Sequence, residues 1–71
     1  MSELDIFTFK RYVINELVCS YNLSEFEAEK AFRESVINKM LKRSPEFIMH
    51  YSIQTNAKDV YDEYMGIPLE M

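Results

Sequence analysis

Apolar side chains recur along this chain at spacings of three and four, the period of a helix lying against a core. Near the start, Ile6, Phe9, Val13 and Leu17 fall on one stripe, and Phe7, Ile14, Val18 and Tyr21 on a second beside it. Two adjacent stripes describe a helix buried over a broad arc, either the central helix of a small bundle or one face of a dimer. The pattern predicts a helix over residues 3–21, with Ser2 opening an N-capping pattern and Asp5 complementing the helix dipole. Asn22 and Leu23 then break the stripe.

The second element is announced by Ser24-Glu25-Phe26-Glu27, a capping box in which Ser24 accepts from the first turn and Glu27 reaches back to the N–H of Ser24. Leu23 and Ala28 occupy the hydrophobic-staple positions. Ala28, Phe32, Val36 and Met40 follow on one line, with Ile37 and Leu41 alongside, so one helix is predicted over 25–43. Glu25, Glu27 and Glu29 stand at its start and Lys39, Lys42 and Arg43 at its end. The helix dipole favours that polarity, so these charges need no functional explanation.

Ser44 and Pro45 end that helix and begin another, with Ser44 as N-cap and Pro45 in the first helical position. Phe47, Ile48, Met49, Tyr51 and Ile53 make the segment 45–53 almost wholly apolar, and it is expected to be mostly buried. A last helix over 57–65 is capped by Thr55 or Asn56. It carries Ala57, Val60, Tyr61, Tyr64 and Met65 on one stripe, opposite Lys58, Asp62 and Glu63. Gly66 suits the left-handed residue that closes a helix, and Pro68 prevents continuation. The tail 67–71 is expected to be loose. The whole chain, 1–71, reads as one all-α domain, a small three- to four-helix bundle with an antiparallel hairpin of the first two helices.

Composition sharpens this picture. One Gly, two Pro and five each of Phe, Tyr and Met favour long elements and large core pieces over a tight-turned barrel. A chain of this size buries only about 60% of its unfolded surface. Without a disulfide, metal or partner its core supplies no more than roughly 3–5 kcal/mol. Cys19 is the one cysteine, which excludes an intrachain disulfide and fits a reducing compartment. There is no basic start followed by an apolar run, and no apolar stretch of the ~20 residues that cross a bilayer, so the expected location is the cytoplasm. The formal charge of −4, with 12 acidic against 8 basic residues, makes nucleic acid an unfavoured partner.

Phe9, Tyr12 and Ile14, the Asn22-Leu23-Ser24 turn, Glu27 and Phe32, then His50 and Asp62-Glu63-Tyr64, together resemble the bacterial domain-of-unknown-function family 3791, a group of short helical proteins. The resemblance covers Phe9 to Tyr64. The chain departs from the family at Glu25, where glycine often follows the turn, and at Ser52 to Asn56, which replace a glycine-containing turn. The family has no established activity. Its association with toxin-like gene neighbourhoods implies a small toxin-neutralising or regulatory partner.

No catalytic set emerges from the residues. His50 and Glu46 share a helical face as an acid/base pair, but no nucleophile or oxyanion hole accompanies them, and His50 is read as a hydrogen-bonded side chain at the core edge. Cys19 has no basic neighbour in sequence to activate it and is read as core. One His and one Cys do not make a metal site, and a single Gly does not make a phosphate loop. No cofactor, metal or small-molecule substrate is expected, and the chain is read as non-catalytic. A helix-turn-helix drawn over the second and third helices offers base edges only Glu46 and His50 among apolar residues.

The aromatic excess is more informative. Phe7, Phe26, Tyr12, Tyr21, Tyr51, Tyr61 and Tyr64 cannot all be interior in so small a domain, and tyrosine is favoured where one end is apolar and the other wet. Tyr12, Tyr51, Tyr61 and Tyr64 are therefore the candidate partner-binding residues, against the plainer reading that these rings cap the core edge. The expected function is a protein-interaction module, antitoxin-like or regulatory, working as a homodimer or with a larger protein. The alternatives are a DNA-binding regulator of helix-turn-helix type and an acidic phage-type inhibitor that mimics nucleic acid.

Overall fold

The computed structural model describes residues 5–66, and these form five α-helices: α1 (Ile6–Tyr21), α2 (Glu25–Arg33), α3 (Val36–Arg43), α4 (Pro45–Met49) and α5 (Ile53–Tyr64). The all-α bundle is as expected, but its elements are shorter and more numerous. Helix α1 packs on both α2 and α5, while α3 and α4 pack on each other at one end of the bundle. Phe9, Val13, Ile14 and Leu17 of α1 meet Ala28, Ala31 and Phe32 of α2 and Ala57 and Val60 of α5 in one core, to which Ile37, Leu41 and Ile48 add from the far end.

Asp5 is extended, so α1 begins at Ile6 and not at residue 3; the Ser2 cap lies outside the described residues. The Thr8 backbone N–H donates to Asp5 Oδ1 at 2.8 Å, and that bond holds the carboxyl below its ordinary value of 3.8. Asn22 closes the helix in the left-handed conformation, φ 60°, which Asn tolerates better than most residues. After Leu23 the capping box forms as predicted: Glu27 N–H donates to Ser24 Oγ and Ser24 N–H to Glu27 Oε1, each at 3.1 Å. Arg11 reaches across the antiparallel hairpin to Glu25 at 3.1 Å and Glu29 at 3.3 Å. All three side chains are solvated, so each pair contributes at most about 1 kcal/mol. Tyr21 stacks on Tyr61 with ring centroids 4.4 Å apart, joining α1 to α5.

The predicted helix 25–43 is two helices. Glu34 ends α2, and Ser35 is extended and caps α3, accepting from Asn38 N–H at 3.2 Å while its own hydroxyl donates to Phe32 O at 2.7 Å. Ser and Asn favour such local backbone bonds over a continuous helix. The break shifts the register of the apolar stripe. Ala28 and Phe32 stay buried, but Val36 turns outward and Met40 is only partly covered, while Ile37 and Leu41 continue the core. Asn38 Nδ2 donates to Arg33 O, and its buried Oδ1 has no partner among the described residues.

The segment 45–53 also differs from expectation. Pro45 stands in the first turn of α4 and Ser44 is the N-cap, but without a side-chain bond, and the helix stops at Met49. Only Ile48 is buried; Phe47 and Tyr51 are exposed. The last helix starts four residues earlier than predicted, because Ser52 rather than Thr55 or Asn56 caps it, accepting from Thr55 N–H at 3.1 Å. Asn56 is thereby drawn inside, where its Nδ2 donates to the carbonyls of Ile48, Tyr51 and Ser52 at 3.2, 3.4 and 3.0 Å. Helix α5 ends at Tyr64, one residue early, and Gly66 takes the left-handed φ of 78°. The expected loose tail and Pro68 lie outside the described residues. Among those residues no helix is long and apolar enough to cross a membrane.

Candidate functional site

The helix break at Ser35, the short α4 and the early start of α5 together create one surface groove of about 370 Å³. Val36, Ile37 and Met40 of α3, Phe47 and Ile48 of α4, and Tyr51 of the following turn supply its apolar lining. Thr55, Asn56, Asp59 and Glu63 of α5 form the opposite wall. The exposure of the key side chains decides what kind of feature this is: Val36 is 46%, Phe47 52% and Tyr51 45% accessible. These are large apolar groups that the fold leaves half in water.

Each is held there for a local reason. Val36 lies outward because the register shifts at Ser35, and its N–H donates to Glu63 Oε1 at 2.9 Å, which fastens α5 to the start of α3. Phe47 and Tyr51 meet edge to face, with centroids 5.6 Å apart and planes at 80°. His50 sits edge-on to the same Tyr51 ring at 5.6 Å. Asn56, by bonding the carbonyls that end α4 and begin the next turn, fixes the angle between α4 and α5 and so the width of the groove.

The electrostatics of the wall are uneven. Glu63 is engaged by Val36 N–H. Asp59 is partly buried and takes part in no ion pair among the described residues. Its neighbour Lys58 instead pairs with Asp62 at 2.9 Å, a hydrogen bond that raises the lysine above its ordinary value. Burial pushes the Asp59 carboxyl above its ordinary value; Lys58 opposes the shift and Asp62 adds to it.

The four tyrosines named from the sequence do not converge. Tyr51 lines the groove. Tyr61 is half-covered by its stack on Tyr21. Tyr64 is exposed and borders a separate shallow recess with Ala31, Glu34 and Glu63. Tyr12 is exposed on the solvent side of α1. Cys19, expected in the core, is exposed as well. His50 is exposed rather than tucked at the core edge. Among the described residues no three His, Cys, Asp or Glu side chains gather as metal ligands.

Sequence reasoning missed Val36, Met40 and Phe47 because it assigned them to the core, and it gave Asp59 no role at all. The signal for the first two was Ser35 followed three residues later by Asn38, a helix start in the middle of an apolar repeat. Comparison with protein-family models, curated proteins and solved structures gave no match.

Proposed function

We propose that this chain is a non-catalytic protein-interaction module, an antitoxin-like or regulatory partner of a larger bacterial protein, and that it binds through the groove between α3, α4 and α5. The observation that supports this is the half-exposed apolar set Val36, Phe47 and Tyr51 around one concave surface. Covering such surface yields about 25 cal/mol per Å², and a domain with so small a core has little reason to leave it open for its own stability. The resemblance to family 3791 and its toxin-like gene neighbourhoods leads to the same reading. A groove whose wall carries Asp59 and Glu63, on a chain of net charge −4, is poorly suited to phosphate.

The test is co-purification of the tagged full chain from its native host, followed by reconstitution from purified components. The expected outcome is a stoichiometric protein partner that binds the wild-type chain directly and fails to bind Phe47→Asp, with the helicity of that variant unchanged by circular dichroism. A partner that binds both forms equally would remove the groove from the proposal. Recovery of the chain alone, as a stable dimer indifferent to Phe47→Asp, would remove the module reading itself.

A further inference from the structure

We infer that the occupant of the groove is an amphipathic helix of the partner protein carrying a lysine or arginine beside its apolar stripe, and that this cation pairs with Asp59. The inference rests on the interaction reading above and adds the chemistry of the partner.

Shape is the first ground. The groove runs between helical walls and its volume of about 370 Å³ stands at the small end of the ~300–1,000 Å³ typical of ligand pockets. It is open along one side, so it suits a row of side chains on a larger body better than an enclosed small molecule. With no strand among the described residues there is no sheet edge for an extended peptide to join, whereas a helix laid in a groove presents anchors at i, i+3 or i+4, and i+7. Val36, Phe47 and Tyr51 are the surfaces those anchors would meet.

Charge is the second ground, and it is independent of the first. Asp59 and Glu63 lie four apart on one face of α5, both facing the groove. Glu63 already accepts from Val36 N–H, but Asp59 is partly desolvated with no cation of its own, because Lys58 is held by Asp62. A carboxylate in that position loses water and gains nothing in return until a cation arrives. An Arg or Lys from the occupant supplies a charge-assisted bond at the edge of an apolar contact. A second copy of this chain fits less well. A two-fold contact through the groove sets the same patch against itself, bringing the acidic wall of one copy towards that of the other.

The experiment is selection of a displayed library of helical peptides of about 20 residues, long enough to hold a helix in isolation, on the purified full chain. The selected peptides are then titrated against wild type, Phe47→Asp, Asp59→Asn and Asp59→Lys, each checked for helicity. The expected result is a shared pattern of large apolar residues at helical spacing with Lys or Arg on one flank. Phe47→Asp abolishes binding. Asp59→Asn weakens it roughly tenfold, the size of one charged hydrogen bond. Reselection on Asp59→Lys turns the flanking position acidic. Peptides that need Phe47 but show no basic flank and ignore Asp59→Asn would overturn this inference while leaving the interaction reading in place. Peptides that ignore Phe47→Asp would overturn both. Failure to enrich any helical peptide, or self-association of the chain that Phe47→Asp abolishes, would overturn the helical occupant in favour of a different ligand or a second copy.

Discussion

The two ends of this molecule are held together by different means. Around α1, the core is made of large apolar side chains: Phe9, Val13 and Leu17 against Phe32, Ala57 and Val60, all at most 1% accessible. Around α3 and α4 the apolar contribution shrinks to Ile37, Leu41 and Ile48, and the geometry is set by polar side chains bonded to backbone: Ser35, Asn38, Asn56 and Glu63. Hydrophobic burial is non-directional and scales with area, so the first region is held by the side chains it turns inward, while Ile6, Phe7, Tyr12 and Phe26 stay exposed at its edge. Directional hydrogen bonds define a shape with less apolar burial, and the second region can hold Val36, Phe47 and Tyr51 out in water. A small domain can thus separate the work of folding from the work of presenting a sticky surface.

The contrast can be broken from either side. The largest effect is expected from Phe9→Ala. Truncating a fully buried ring costs about 3–5 kcal/mol, comparable with all the stability a core of this size supplies. Far-UV circular dichroism should show that variant largely unfolded. A cooperative fold retained near wild-type stability would mean that the α1 core is not the main support.

Asn56→Ala comes next. It removes three hydrogen bonds to carbonyls at the α4–α5 junction, and although Ile48 O and Ser52 O keep backbone N–H partners, losing these bonds costs about 1–3 kcal/mol. Amide exchange should show protection falling first over residues 45–52, with α1 affected less. Equal loss along α1 would show one cooperative unit rather than two regions of different stability.

The smallest effect concerns pH. Because burial raises the Asp59 pKa, the folded state takes up this proton at a higher pH than the unfolded state does. Its ionisation therefore destabilises the fold as pH rises through the folded pKa, and that cost disappears once pH falls below the ordinary value of 3.8. Asp59→Asn should be more stable than wild type at neutral pH, by less than about 1 kcal/mol after allowing for solvent screening. The gap between their urea midpoints should close as pH is lowered toward that value. A gap constant with pH would mean that Asp59 is fully solvated and the groove wall is not dry.

The same division decides what was legible in the sequence. Helix α1 and the start of α2 follow their caps and most of their apolar period: the capping box at Ser24 and the buried positions Phe9, Val13, Leu17, Ala28 and Phe32 lie where the pattern puts them, whereas Ile6 and Phe7, on the same stripes in sequence, are exposed in the first turn of α1. The α3–α4 region follows short-range polar chemistry that a 3.6-residue period does not register. Ser35 interrupts a stripe that runs straight through it in sequence, and Ser52 takes the capping role from Thr55 and Asn56. Both choices depend on which hydroxyl finds a free N–H in three dimensions. Phe47, Met49 and Tyr51 look like core by composition, but α4 is a single short turn of helix and can press only one of its sides, that of Ile48, into the interior. Of the candidate site, only Tyr51 was visible in advance.

The Tyr21–Tyr61 stack gives the molecule an optical property of its own. The chain contains no tryptophan, so its near-ultraviolet absorption and emission come chiefly from its five tyrosines. Two of those rings are locked face to face at 4.4 Å across α1 and α5, close enough for their electronic transitions to couple. A third, Tyr51, lies on the groove some distance along the fold from that pair. The near-ultraviolet circular dichroism of the stack therefore follows the integrity of the bundle, while the summed tyrosine emission, to which Tyr51 contributes alongside the exposed Tyr12 and Tyr64, responds to what touches the groove.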